Sequence, residues 1–217
     1  MAAMYKPISV ILADDHAMVR EALARVLEAN GMIRVVGQVG DGRSLLETFA
    51  RERSDCVVMD YSMPHHNPVD TIKSILEIKK TTKILVLTVH ENAHYAVHAL
   101  QAGAHGYLIK SAAVEELVDA IKTVGQGDIY ISRKISADVW SKLWSPKQPR
   151  SGLEALSPRE FDVLRNLGSG LSIQDCAKAM NLSVSTISTY RSRLLSKLNL
   201  NSTNELVRFA VENNIIS

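Results

Sequence analysis

Five short apolar runs, each followed by a longer amphipathic stretch, are the feature that most constrains what this chain can fold into. The runs lie at 8–13, 35–39, 56–59, 84–87 and 106–109. They are rich in Val and Ile and mostly lack polar alternation, the pattern of strands buried on both faces. Helical patterns follow at 17–29, 43–51, 69–79, 93–102 and 114–124; in the first, Val19, Leu23, Val26 and Leu27 recur at helical spacing. Strand and helix in regular alternation predict an α/β domain with a five-stranded parallel sheet covered by helices on both faces.

The pattern changes after residue 128. A short helix at 135–143 leads into Ser145-Pro-Lys-Gln-Pro-Arg-Ser-Gly152, which has no apolar periodicity and reads as a linker. Beyond it only helices are expected, at 158–167, 172–180, 185–198 and 203–213. Ser157 and Glu160 match a capping box, with Pro158 at the first helical position. The expected organisation is a first domain at 1–128, a linker with its short helix at 129–153, and a small all-α domain at 154–217. Charge divides along the same line. Residues 1–143 carry 16 Lys/Arg against 17 Asp/Glu, a net −1; residues 144–217 carry 9 against 6, a net +3. The basic excess suits a phosphate-facing surface. No apolar run approaches a membrane span, and residues 1–7 lack the charged start and apolar stretch of a secretory signal, so a soluble cytoplasmic protein without membrane contact is expected. Cys56 and Cys176 are too few for a disulfide framework and are expected to be structural.

Polar residues collect at the strand ends. Asp14 and Asp15 end the first strand, Asp60 the third, Thr88 the fourth and Lys110 the fifth. Ligands of open parallel sheets bind outside those carboxyl ends. If the first, third and fourth strands are neighbours, as in a flavodoxin-like order, the three aspartates converge. Acidic residues at strand ends also cap following helices, but five such positions at four strand ends exceed what capping needs. Crowded carboxylates repel, so one should either protonate or recruit a cation. Hard oxygen ligands suit Mg²⁺, and a nearby Lys and Thr suit phosphoryl oxygens. The set fits phosphoryl transfer to a carboxylate nucleophile.

These residues resemble the receiver domain of bacterial response regulators. Asp14-Asp15, Asp60-Tyr-Ser-Met-Pro64, Leu87-Thr88 and Gly106-Tyr-Leu-Ile-Lys110 match its motifs in order, over about residues 8–126. The resemblance implies that Asp60 is the phosphoacceptor and that Lys110 pairs with the phosphoryl group. It implies Mg²⁺ on Asp15, Asp60 and the Ser62 backbone carbonyl, with Asp14 holding a metal-bound water. Thr88 and Tyr107 would be the switch pair, the hydroxyl moving toward the phosphoryl group as the ring turns inward. Ser62 and His90 flank the site, where residues tune attack by water. The chain departs from the pattern at Pro68, where Gly is usual, after His65, His66 and Asn67; proline fixes φ and removes a donor, so a different path into the next helix is expected. The paired histidines are expected to be solvated. Val89 stands where a smaller residue is common.

The C-terminal part resembles the four-helix, helix-turn-helix output domain of LuxR-type regulators, making the whole chain similar to the NarL/FixJ class. Ile173, Ala177 and Met180 line a scaffold helix, Asn181 and Leu182 make the turn, and Ser183 caps the next helix. Ile187, Leu194, Leu195 and Leu198 form its inward stripe. Ser185, Thr186, Ser188, Thr189, Arg191, Ser192, Arg193 and Lys197 are the expected DNA-facing residues. The family commonly has Lys and His where this chain has Ser188 and Tyr190, so fewer cations should lower the salt dependence of binding.

The expected function is therefore a DNA-binding transcriptional response regulator of a two-component system, not a dedicated enzyme. A sensor histidine kinase or histidine phosphotransfer domain is the expected donor. Double-stranded promoter DNA is the target, a homodimer forms on phosphorylation, and RNA polymerase is a candidate partner. The last helix is the expected pairing surface between output domains. Two rivals remain open. An aspartyl-phosphate hydrolase normally needs a carboxylate two residues after the nucleophile, where this chain has Ser62. A receiver serving only as a dimerisation module would not need the acceptor set, although Pro68 leaves it room.

Overall fold

Regular alternation of buried strand and amphipathic helix builds a layered α/β unit. In the computed structural model, β1 (Ile8–Ala13), β2 (Ile33–Val39), β3 (Cys56–Asp60), β4 (Lys83–Thr88), β5 (Gly106–Ile109) and β6 (Tyr130–Ile131) form one sheet in the order β2-β1-β3-β4-β5-β6. Every pairing is parallel. The helices of this unit are α1 (Ala17–Ala29), α2 (Gly42–Glu52), α3 (Pro68–Ile78), α4 (Ala93–Gln101), α5 (Val114–Gln126) and α6 (Arg133–Trp144). The described residues are 6–63, 67–111, 114–144, 152–213 and 215–216. His65, His66 and residues 145–151 of the expected linker lie outside them.

Strand alternation decides which helix covers which face. Val10, Leu12, Cys56, Val58, Leu85, Leu87 and Leu108 share one core with Ala24 and Leu27 of α1 and Leu117, Ile121 and Val124 of α5. The intervening residues, Ile11, Val57, Met59, Val86 and Tyr107, are buried on the opposite face. There α2, α3 and α4 pack in succession and contribute Leu45, Phe49, Ile72, Ile75 and Tyr95. Each such apolar side chain stabilises the fold by about 2 kcal/mol. All five residues of β3, Asp60 at its carboxyl end included, are buried.

The sheet has six strands, not the five expected. Tyr130 and Ile131 are too short a run to show periodicity, and they pair with Gly106 and Tyr107. Gly106 makes room for them: a Cβ there would meet the Tyr130 carbonyl oxygen at 3.2 Å and Leu85 Cδ1 at 2.6 Å. The chain divides into two compact units after Trp144. Residues 129–144 thus fold with the sheet as β6 and α6, and α6 packs on α4 with Ile135 and Val139 buried.

Pro68 takes the first helical position of α3, with Asn67 as N-cap accepting from the Val69 amide at 3.2 Å. Its missing N–H falls where a helix has no internal partner. The departure from glycine is absorbed by a capped helix start.

In the second unit a 3₁₀ turn (Gly152–Ala155) precedes α7 (Pro158–Gly168), α8 (Ile173–Ala179), α9 (Val184–Leu198) and α10 (Thr203–Glu212). The capping box at Ser157 and Glu160 is formed in both directions. Phe161, Leu164, Leu167, Cys176, Ala177, Ile187, Leu194, Leu198 and Leu206 make the core. Gly168 lets α7 approach α10, since a Cβ there would sit 2.8 Å from Ala210 Cβ.

Candidate functional site

The order β1-β3-β4-β5 places four consecutive carboxyl ends side by side, and the residues ending those strands meet there. Carboxylate oxygens of Asp14, Asp15 and Asp60 and a ring nitrogen of His16 all lie within 4.8 Å of one another. Asp14 and Asp60 are buried and Asp15 is exposed. Lys110 Nζ donates to Asp14 Oδ2 at 2.6 Å and to Asp60 Oδ2 at 2.7 Å. The other Asp60 oxygen accepts from the Ser62 amide at 3.0 Å. Burial disfavours the charged ammonium of Lys110, but its bonds to Asp14 and Asp60 outweigh that and hold its pKa above the ordinary lysine value.

Oxygen-rich donors with one exposed carboxylate match what a hard divalent cation requires, since such a cation keeps several waters. Asp14, Asp15 and Asp60 are thus compatible with Mg²⁺. His16, unremarked in the sequence, sits among them with Nδ1 2.9 Å from Asp15 Oδ1 and its amide on Asp14 Oδ1 at 2.9 Å. The signal was its position directly after the two aspartates. Arg20 of α1 donates to the Asp14 carbonyl oxygen and holds the β1–α1 turn.

Thr88 and Tyr107 are fully buried and both grip His90. Thr88 Oγ1 accepts from the His90 amide at 2.9 Å, and the Tyr107 hydroxyl donates to the His90 carbonyl at 3.4 Å. The His90 ring stacks on Tyr95 with centroids 4.8 Å apart, and its Nε2 lies 3.1 Å from Ser62 Oγ. Val89 is 66% exposed at the rim.

In the second unit Ser183 caps α9, accepting from the Thr186 amide at 3.1 Å. Ile187, Leu194 and Leu198 face inward and Leu195 is half-buried. Ser185, Thr189, Ser192, Arg193 and Lys197 are exposed, while Thr186, Ser188, Tyr190 and Arg191 are half-buried. Ser185, Thr186, Thr189, Tyr190 and Arg193 line a shallow cleft of about 320 Å³. Two of the cations are engaged internally. Arg191 Nε donates to Thr203 Oγ1 at 2.8 Å, and Lys197 Nζ reaches the buried Glu160 at 2.6 Å. The Glu160 contact was not legible from spacing, because it joins α7 to α9.

A family model described as the response regulator receiver domain matches residues 10–122. A second, of bacterial regulatory proteins of the luxR family, matches residues 154–210. This chain belongs to the response regulators. The regulator is 34% identical over 208 residues to response regulator UvrY of Escherichia coli strain K12, covering 96% of this chain and 95% of that protein. It is 33% identical over 209 residues to response regulator GacA of Pseudomonas aeruginosa, covering 96% and 98%. Among solved structures it is similar to RcsB of Salmonella enterica serovar Typhimurium bound to promoter rprA in the presence of the phosphomimetic BeF₃⁻, with TM-score 0.65, 25% identity and coverage of 94% and 98%. The response regulator is of the NarL/FixJ class, a DNA-binding transcriptional regulator with a receiver and a LuxR-type helix-turn-helix domain. Among the described residues, no helix is long and apolar enough to cross a membrane.

Proposed function

We propose that Asp60 accepts a phosphoryl group from a sensor histidine kinase or a histidine phosphotransfer domain, and that this switches dimerisation and promoter binding. The observation supporting this most directly is the fixing of Asp60 between the Ser62 amide and Lys110, with Asp14 and Asp15 in reach. An Asp60 oxygen would form the bond to phosphorus as the donor's P–N bond breaks and the imidazole leaves with the electron pair. Lys110 would balance charge on the phosphoryl oxygens, and the Thr88 hydroxyl would donate to one of them. Mg²⁺, held by Asp14, Asp15, Asp60 and the Ser62 carbonyl, would supply further charge neutralisation. Tyr107 is the second member of the switch pair. We assign the receiver function to 1–128, the connection to 129–153, of which 129–144 fold as part of the first compact unit, and the output domain to 154–217, in a cytoplasmic protein that is not a dedicated enzyme.

The output domain would read promoter DNA through Ser185, Thr186, Ser188, Thr189, Arg191, Ser192, Arg193 and Lys197. The RcsB structure with promoter DNA and BeF₃⁻ supports the same coupling here. Two copies would pair through α10, and RNA polymerase is a candidate further partner. Incubation with acetyl phosphate and Mg²⁺ tests the acceptor. Asp60→Asn should abolish labelling while circular dichroism stays native, and retained labelling places the acceptor elsewhere. Unchanged DNA affinity and oligomeric state with beryllofluoride would remove the switch.

A further inference from the structure

The connection between the switch residues and α6 carries one step more, which rests on the switch reading just given. Thr88 and Tyr107 hold the same residue, His90, one by its amide and the other by its carbonyl. The next residue, Glu91, accepts from Lys134 Nζ at 2.6 Å in the first turn of α6. A second path leaves from the strand. The Ser132 amide donates to the Tyr107 carbonyl at 2.9 Å, and Ser132 Oγ accepts from the Ile109 amide at 3.0 Å. The Ser132 carbonyl in turn accepts from the Ile135 amide at 3.1 Å, which starts α6. These two polar attachments at the start of α6 therefore lead back to Thr88 and Tyr107 within a few bonds.

The two attachments differ in kind. Ser132 is 3% exposed, and its bonds are shielded from water, so it is a pivot. Lys134 and Glu91 are both exposed, with side chains 63% and 46% accessible. Such a pair contributes little stability and is easily exchanged for water, so it is a latch. We infer that Ser132 and Lys134 are positioning residues that couple the state of Thr88 and Tyr107 to α6, the helix from which the chain runs on into the DNA-binding domain. Movement of His90 toward or away from the acceptor site opens or closes the latch, and α6 turns about Ser132. Ile135 and Val139 keep α6 packed on α4 in either position of the latch.

The chain's two tryptophans, Trp140 and Trp144, both lie on α6 with ring centroids 4.9 Å apart, and report on it directly. The test uses the full chain, with beryllofluoride and Mg²⁺ as the activating probe. Tryptophan emission and amide exchange of 133–144 are followed, and Asp60 labelling by acetyl phosphate is measured in parallel. In the unaltered protein, beryllofluoride should shift the emission and raise exchange in α6. Lys134→Ala should raise basal exchange there by about threefold and cut the beryllofluoride response to about half or less. Ser132→Ala should do the same more strongly. Labelling should stay within about twofold of the unaltered protein in both. Normal labelling with an unchanged α6 response overturns the coupling. If Ser132→Ala does not fold, Lys134→Ala decides, since both partners of its ion pair are exposed. Labelling of the unaltered protein with no α6 response removes the coupling alone; no labelling removes the switch reading and this one together.

Discussion

At the scale of single residues, Lys110 organises the carboxylate cluster at the strand ends. Its ammonium bridges two buried carboxylates, Asp14 and Asp60, which repel each other without it. Lys110→Ala should destabilise the first unit by about 3 kcal/mol, because a buried ion pair stripped of one partner leaves uncompensated charge. Urea unfolding followed by far-UV circular dichroism measures this, and a loss below about 0.5 kcal/mol would contradict it. The sign with pH follows from the raised pKa. The pairing is fully present below the ordinary lysine value of 10.5 and is lost as pH rises through the higher folded value. The charge on Lys110 is then constant throughout the neutral range, and any neutral-pH change in phosphorylation must come from another group. The aspartates and the lysine were legible in the sequence because each ends a strand. His16 was not read, since a histidine directly after two aspartates at a helix start reads equally as an ordinary helix cap.

At the scale of elements, caps and inter-helix contacts decide the output domain. Ser183→Ala removes the acceptor for the Thr186 amide and should cost about 1 kcal/mol, read as a lowered melting temperature. Glu160 belongs to the capping box of α7 and also receives Lys197 from α9. Burial raises its pKa, but bonds from Lys197 and Ser157 outweigh that and hold it below the ordinary carboxylate value of 4.5. A depressed carboxyl contributes stability above 4.5 that disappears as pH falls through the folded value. Lys197→Ala should therefore move the acid unfolding midpoint of the second unit upward. It should cost about 2 kcal/mol at neutral pH, less than a fully buried pair because Lys197 reaches solvent. If the acid midpoint does not move, the lysine's role lies wholly at the DNA. The start of α7 was readable from Ser157, Pro158 and Glu160 because capping is local. The second duty of Glu160 was not, because its partner lies in a different helix. The strand β6 escaped for the same reason: two residues carry no period, and only the gap over Gly106 makes a place for them.

At the scale of the whole molecule, the question is how many cations the protein offers to DNA. With Arg191 tied to Thr203 and Lys197 to Glu160, Arg193 is the exposed cation of α9 that makes no internal hydrogen bond among the described residues. If it meets a phosphate, each contact adds about −0.9 to the slope of log affinity against log salt. Arg193→Ala should then flatten the slope of a dimer by about 2. If it instead reads a guanine edge, the slope stays and discrimination at one base pair falls by about 1–3 kcal/mol. Binding titrations over a range of salt on a selected site separate the two, and no change in either quantity would place recognition outside α9. The sequence by itself determined the class of fold, since doubly buried strands alternating with amphipathic helices have few other solutions. It also placed Asp14, Asp15, Asp60, Thr88 and Lys110 at the strand ends, because strand ends are set by local pattern. Only the tertiary structure decided what the side chains touch: that Thr88 and Tyr107 share His90, that Lys197 serves Glu160, and that residues 129–144 belong to the unit that holds the sheet. Apart from the local Thr88–His90 bond, those are contacts between different elements, and they depend on packing distances that no local periodicity encodes.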